Sequence, residues 1–410
     1  YTLSIMLLKS NKQSHTASAV SLVTLLVTIT AAIVLAPTKA EPVKGRVFDH
    51  VFIAFLENTD YDLAFSDPAL RSFLSQGILL TNYYAVTHPS QPNYIAAIGG
   101  DYYGLNNDRT VSIPANYTTI VDLLEPKGLT WKTYQEDLPD TPCFKDTQSN
   151  GVYFRKHNPF VIHESISLNP DRCKNIVPSS QLYTDLANAQ SSSSSNKSAP
   201  ATPMPNYMFY TPNMIHDGHN TTVADASLWL ASFLPPLLGK PSSSSPSSSA
   251  PKPALPPNTL VVISFDETDD YNIPNRVWTL LLGDVIPDQL RGTTDSTFYT
   301  HYSLLSTCSS NWDLPSLGRN DADPTLSNVF NLVAQKTQYR NHNISMAQQP
   351  LLNGTEPGFL AMADPISTQS SSARSSWERG VVLDRQRPIQ RPAVLASAMV
   401  LFSIALAVLF

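Results

Sequence analysis

Apolar residues in this chain fall into short continuous runs separated by amphipathic stretches. His50–Leu56, Ile78–Tyr84, Thr130–Gln135, Tyr207–Tyr210, Thr259–Phe265 and Arg276–Leu282 are rich in β-branched or aromatic residues and read as strands. Asp67–Gln76, Pro92–Ile98, Thr118–Glu125 and Ala224–Phe233 read as helices between them. Runs without alternation belong to strands covered on both sides. The expected fold is therefore α/β, a central and mostly parallel sheet with helices on both faces, in one domain over about residues 47–341.

Several stretches do not carry this pattern. The serine run Ser191–Ser195 and the Ser/Pro/Ala-rich stretch Lys240–Pro257 have too few apolar residues to join a core and read as surface insertions. Residues 1–40 hold an apolar run, Ala19–Leu35, behind Lys9 and Lys12 and ahead of small residues. That order predicts a secretory signal peptide, with an uncleaved anchor as the alternative. Residues 348–392 read as a disordered Ser-rich stalk. Ala393–Phe410 is an apolar tail behind a spacer with Arg385, Arg387 and Arg391 and the small residues Ser370–Ser376. This order predicts a GPI-attachment signal, with a plain tail anchor as the alternative, and so a membrane partner.

Composition agrees with export and narrows the partners. The net charge is −6, with 15% charged and 42% hydrophobic residues. No Lys/Arg cluster is present to grip a phosphate backbone, so nucleic acid is not an expected partner. Five Asn-x-Ser/Thr sequons, at Asn116, Asn196, Asn220, Asn343 and Asn353, are candidate glycosylation sites. In an oxidising compartment two of the three cysteines are expected to pair. Cys143 with Cys173 closes a short loop and leaves Cys308 free and buried.

Candidate chemistry gathers just beyond the strands, where open parallel sheets place their sites. Glu57-Asn58 follows the first strand and offers hard oxygen ligands for a divalent cation, or a loop cap. Ser90, in Thr87-His88-Pro89-Ser90-Gln91-Pro92-Asn93-Tyr94, stands where a helix begins. Free N–H groups there can hold a phosphate or an attacking alkoxide, although serine is also an ordinary N-cap. Asn93, one turn on, could reach the same oxyanion. His216 and His219 flank Asp217 in a glycine-containing turn suited to metal, to phosphate or to plain surface structure. Asp266-Glu267 ends the most apolar strand; paired buried carboxylates repel unless a proton or a cation lies between them. His301 precedes a helix start at Ser303–Leu305.

Taken in order, the Glu-Asn, His-Pro-Ser-x-Pro-Asn-Tyr, Asn-x-x-His-Asp-x-His, Phe-Asp-Glu and His-Tyr-Ser segments resemble the phosphoesterase family of fungal acid phosphatases and bacterial phosphatidylcholine-type phospholipases C. The likeness spans about residues 47–335, and Arg155–Phe160 is similar to the eukaryotic acid-phosphatase branch. The resemblance implies an alkaline phosphatase-like fold and hydrolysis of small phosphate esters. It makes Ser90 the nucleophile, beside a divalent metal held by Glu57, Asn58, Asp266 and Glu267. His157 and His216 become phosphate-binding residues, joining Asn93, and His219 or His301 the acid that protonates the leaving group. The chain lacks the Asp-x-x-x-His and Asp-His pairs of two-zinc alkaline phosphatases, so the resemblance carries neither a second metal nor the identity of the first. A phospholipase C-type phosphodiesterase and a non-catalytic wall glycoprotein are the alternative functions.

Overall fold

The strands that frame the site are pinned by register as well as by burial. The computed structural model describes residues 43–191, 203–239, 254–349, 352, 354 and 356–361. The signal-peptide and tail expectations, nearly all of the stalk, most of both low-complexity segments, and Asn196 and Asn353 lie outside the described residues.

Eight strands form the main sheet: β1 (His50–Leu56), β2 (Ile78–Leu80), β3 (Trp131–Gln135), β4 (Ile176–Pro178), β5 (Tyr207–Thr211), β6 (Thr259–Phe265), β7 (Thr279–Leu282) and β8 (Thr293–Asp295). Their order is β8-β2-β7-β6-β1-β5-β3-β4. Only β7 runs antiparallel to its neighbours, so the sheet is mostly parallel. β1 and β6 pair along their full length, from His50 opposite Thr259 to Leu56 opposite Phe265. Every residue of β5 and β6 is buried. Sheet residues can be buried without alternation only where layers cover both sides, which is why these runs show no alternation in the sequence.

Three expectations of the sequence change here. Ile78–Tyr84 is not one strand: β2 ends at Leu80, and Tyr83–Tyr84 pairs with Tyr299–Thr300 in a separate two-stranded sheet. Arg276–Leu282 shortens to β7, with Arg276 held in a lone bridge to Tyr84. The folded unit also reaches past 341, into the expected stalk. Thr87 Oγ1 donates to the Gly354 carbonyl at 2.9 Å, Arg109 Nη2 donates to the Leu360 carbonyl at 2.6 Å, and Phe359 packs on Tyr103 and Tyr117. Leu352 is buried in an apolar cluster and Leu360 packs against another, but these apolar residues are scattered among polar ones and show no strand or helix period in the sequence.

Cys143 and Cys173 are joined by a disulfide, and Cys308 is free and buried. The sequons Asn116, Asn220 and Asn343 are exposed.

One buried histidine sets an acid limit on this fold. His163 is fully buried, its Nδ1 lies 2.9 Å from the Pro159 carbonyl, and its Nε2 has no hydrogen-bond partner. Burial pushes its pKa down to about 4, against about 6.5 in an unfolded chain. Below 6.5 the unfolded state binds the proton more readily than the folded one, so stability is lost as pH falls from 6.5 toward 4. The melting temperature should drop across that window, and His163→Gln should flatten part of the drop. An unchanged slope in the variant would assign the acid sensitivity elsewhere.

Candidate active site

Parallel strands deliver their C-terminal ends to one edge of the sheet, and the acidic side chains meet there. Glu57 and Asn58 follow β1, Asp266 and Glu267 follow β6, and Asp217 lies in the turn after β5. Asn58 takes a φ of +28°, a conformation that Asn tolerates better than most residues, where the chain turns off β1.

Ser90 is brought to them as the first residue of the helix Ser90–Gly99, all ten residues of which are buried. Its Oγ lies 3.0 Å from Glu57 Oε2, 3.0 Å from Glu267 Oε1 and 3.3 Å from Asn58 Oδ1. One hydroxyl proton cannot serve three acceptors. Four oxygens thus converge on a small volume, served only by the Ser90 proton and by Asn58 Nδ2, which donates to Glu267 Oε1 at 3.1 Å, a donor set that suits a hard divalent cation. Asp266 supports the corner from behind: its Oδ1 accepts from the backbone N–H groups of Asn58 at 3.0 Å and Glu267 at 2.7 Å. Its Oδ2 is buried and has no hydrogen-bond partner.

The electrostatics fit the same donor set. Burial, and then the Glu57 charge, push Asp266 and Glu267 well above the usual carboxylate range. Asp217 is raised well above it for the same two reasons. Buried acids shifted in this way call for protons or a cation. Lys156 is the cation nearby. Burial pulls its pKa down, but the Asp108 and Glu57 charges outweigh that and raise it. It is paired with Asp108 at 2.8 Å, and Asp108 in turn accepts from the Gln91 N–H at 3.0 Å, in the first turn of the Ser90 helix.

Not every expected residue faces this corner. Asn93 is fully buried, and its amide is spent on the loop before Ser90: Oδ1 accepts from the Val86 and Thr87 N–H groups, and Nδ2 donates to the Thr87 and Pro89 carbonyls. That corrects its phosphate-binding assignment, since no donor of the amide is left over; it shapes the turn instead. His301 is corrected as well. It is fully buried, with Nδ1 3.1 Å from the Tyr83 hydroxyl and Nε2 2.6 Å from the Asp266 carbonyl, so the ring is locked inside the fold; His219, with ring nitrogens 3.1 Å from Asn220 Oδ1 and 3.4 Å from Lys156 Nζ, is partly exposed. His216 is drawn to Glu136, at 2.9 Å, and stacks on Trp229. That geometry braces the turn after β5 and does not support the phosphate-binding assignment.

His157 and His219 lie beside this corner. His157 Nε2 lies 3.2 Å from Glu57 Oε1, and the His219 ring is 6.0 Å from the His157 ring. His219 Nε2 is 3.4 Å from Lys156 Nζ.

Sequence reasoning gave no role to His88, Tyr94, Asp108 or Tyr271, and named Lys156 and Asp217 only as members of a segment. His88 Nδ1 contacts Glu267 Oε2, and its ring stacks on Tyr271. Burial pushes the His88 pKa down to about 4. Its place two residues before Ser90 was the one available signal. The others are joined to the site by contacts that no local spacing encodes.

The model of the Phosphoesterase family matches residues 68–315. A probable acid phosphatase of Kluyveromyces lactis is 42% identical over 323 residues, covering 78% of this chain and 70% of that protein. A phosphate-repressible acid phosphatase of Penicillium chrysogenum is 40% identical over 339 residues, covering 81% and 73%. A phosphatidylinositol-3-phosphatase of Mycobacterium tuberculosis is 27% identical, covering 69% and 83%. Among solved structures, a Vibrio parahaemolyticus protein in the alkaline phosphatase superfamily aligns with a TM-score of 0.40 at 13% identity, covering 68% of this chain and 70% of that one.

Proposed function

The chain belongs to the phosphoesterase family and is a phosphoric ester hydrolase, and from that premise we propose that it is an acid phosphatase that takes phosphate from small monoesters through Ser90. The observation that carries this reading is the crowding of Ser90 Oγ by three oxygens at 3.0–3.3 Å at the head of a buried helix.

Glu57, Asn58, Ser90, Asp266 and Glu267 would hold a divalent cation. When bound, it stabilises an ionised serine oxygen and offsets the buried acidic charge. The residues do the rest. Ser90 Oγ loses its proton to Glu57 or Glu267, both at 3.0 Å, and attacks phosphorus. The bond to the alcohol oxygen breaks as a bond to Ser90 forms. His219, beside Lys156, supplies the proton to the departing oxygen. Lys156 places positive charge next to the incoming phosphate. Water then splits the phosphoseryl ester, releases phosphate and returns the hydroxyl.

Steady-state rates on p-nitrophenyl phosphate and bis(p-nitrophenyl) phosphate test the substrate class. The monoester should be strongly preferred; equal or better turnover of the diester would overturn the monoesterase reading. Lys156→Met should cost about tenfold to a hundredfold in kcat/KM, the size expected for losing one charge-assisted contact. An unchanged value would remove Lys156 from the site.

We further place the enzyme in the secretory route and on the cell surface, held by its C-terminal segment. The disulfide and the three exposed sequons support the first part. Endoglycosidase should lower the apparent mass of the native protein, and phosphatidylinositol-specific phospholipase C should release its activity from cells. Activity that stays with the membrane after that treatment would favour a plain anchor.

A further inference from the structure

We propose that Glu57, His157 and Asp217 form a second cation site, for a divalent transition-metal ion, which shares Glu57 with the centre at Ser90. The two oxygens of Glu57 face different partners. Oε2 lies 3.0 Å from Ser90 Oγ, whereas Oε1 lies 3.2 Å from His157 Nε2. On the other edge of the ring, His157 Nδ1 is 3.7 Å from Asp217 Oδ2. One ligand atom from each of the three side chains falls within 4.8 Å of the other two. All three side chains are buried.

This cluster is not an ordinary hydrogen-bonded network. Glu57 Oε1 and His157 Nε2 face each other at 3.2 Å without the alignment of a hydrogen bond, and Asp217 Oδ2 is buried with no hydrogen-bond partner. The Tyr94 hydroxyl is drawn to Glu57, and the Tyr94 ring stacks on His157 with centroids 5.0 Å apart. Buried polar atoms are almost always paired, and buried charges are paired or bound to metal.

The charged neighbours do not fill the gap. Lys156 is committed to Asp108, and Asp217 Oδ1 already accepts from the His219 N–H at 2.8 Å, which leaves Oδ2 for the cluster. A neutral imidazole with two carboxylates is a mixed nitrogen and oxygen set, which favours Mn²⁺ or Zn²⁺ over Ca²⁺ or Mg²⁺. Glu57 would bridge the two cations.

The inference rests on the reading of the Ser90 centre only through the shared Glu57, and metal counting separates the two. The full chain, stripped with chelator, reloaded with Mn²⁺ and dialysed, should retain two ions per chain. His157→Ala and Asp217→Asn should retain one. Glu267→Gln, which touches only the Ser90 side, should also retain one. An anomalous difference map from Mn²⁺-loaded wild-type crystals should show a peak among Glu57, His157 and Asp217, and it decides the matter even where a variant does not fold. No peak there, or one ion in both wild type and Asp217→Asn, overturns the second site and leaves the proposed function standing. No ion in the wild type, with turnover unaffected by stripping, overturns both.

Discussion

Ser90→Ala is expected to lower kcat on the order of 10⁴-fold or more while leaving the fold intact. The two halves of this expectation have different causes. The hydroxyl can both lose a proton and attack, whereas its neighbours at 3.0–3.3 Å are carboxylate and amide oxygens. The helix start does not depend on it, because the turn before it is held by the Asn93 amide and the first-turn N–H of Gln91 by Asp108. Loss of a single buried hydroxyl should change stability by about 1 kcal/mol or less. Kinetics and a melting curve on the same preparation check both halves. A variant that melts like wild type yet keeps a tenth of its turnover would move the nucleophile elsewhere. Asn93→Ala should behave in the opposite way, losing stability first, since it strips partners from four backbone groups.

Removal of divalent metal should have an effect of comparable size. Chelation is expected to lower turnover about a thousandfold or more, with recovery on adding Mn²⁺ or Zn²⁺. In Ser90→Ala the same treatment should change the residual rate little, because groups that act as one unit are not additive. The stripped protein should also reverse its pH response at the site. Asp217, Asp266 and Glu267 are all raised by burial and by Glu57, so the folded state holds their protons more tightly than the unfolded chain does. Their contribution is therefore favourable in acid and is lost as pH rises from the unfolded carboxylate value, about 4, through the raised folded values. Reloading metal should abolish that loss. Melting curves of stripped and loaded protein between pH 4.5 and 7.5 read it directly. Identical slopes in the two forms would mean that no cation occupies the carboxylates.

How much of this was legible in the sequence depended on how local each signal is. β1 and β6 are continuous apolar runs that end in acids, so Glu57-Asn58 and Asp266-Glu267 announce themselves at strand tips, and a mainly parallel sheet brings those tips together. Ser90 announces itself by the proline two residues on. The direction of a side chain is a different matter. His301 and Asn93 stand at the right positions in the chain, yet the first is turned between the Tyr83 hydroxyl and the Asp266 carbonyl and the second into its own loop. Nothing in spacing fixes a χ angle. Lys156 and Asp108 are 48 residues apart, and His88 and Glu267 are 179 apart, so those pairs exist only once the chain has folded. The split of Ile78–Tyr84 into two sheets falls at the polar pair Thr81-Asn82, the one local sign of a break between Ile78–Leu80 and Tyr83–Tyr84.

The link between Cys143 and Cys173 spans 30 residues, and Lys156 and His157 both lie inside that span. The thiol state of the compartment where the chain matures therefore bears on catalysis as well as on durability. Enzyme made in a reducing cytosol would present the Ser90 corner complete but would hold Lys156 and His157 on a segment with one covalent tie fewer. Recombinant production through an oxidising route, or refolding with a thiol–disulfide buffer, becomes a condition for measuring its true rate.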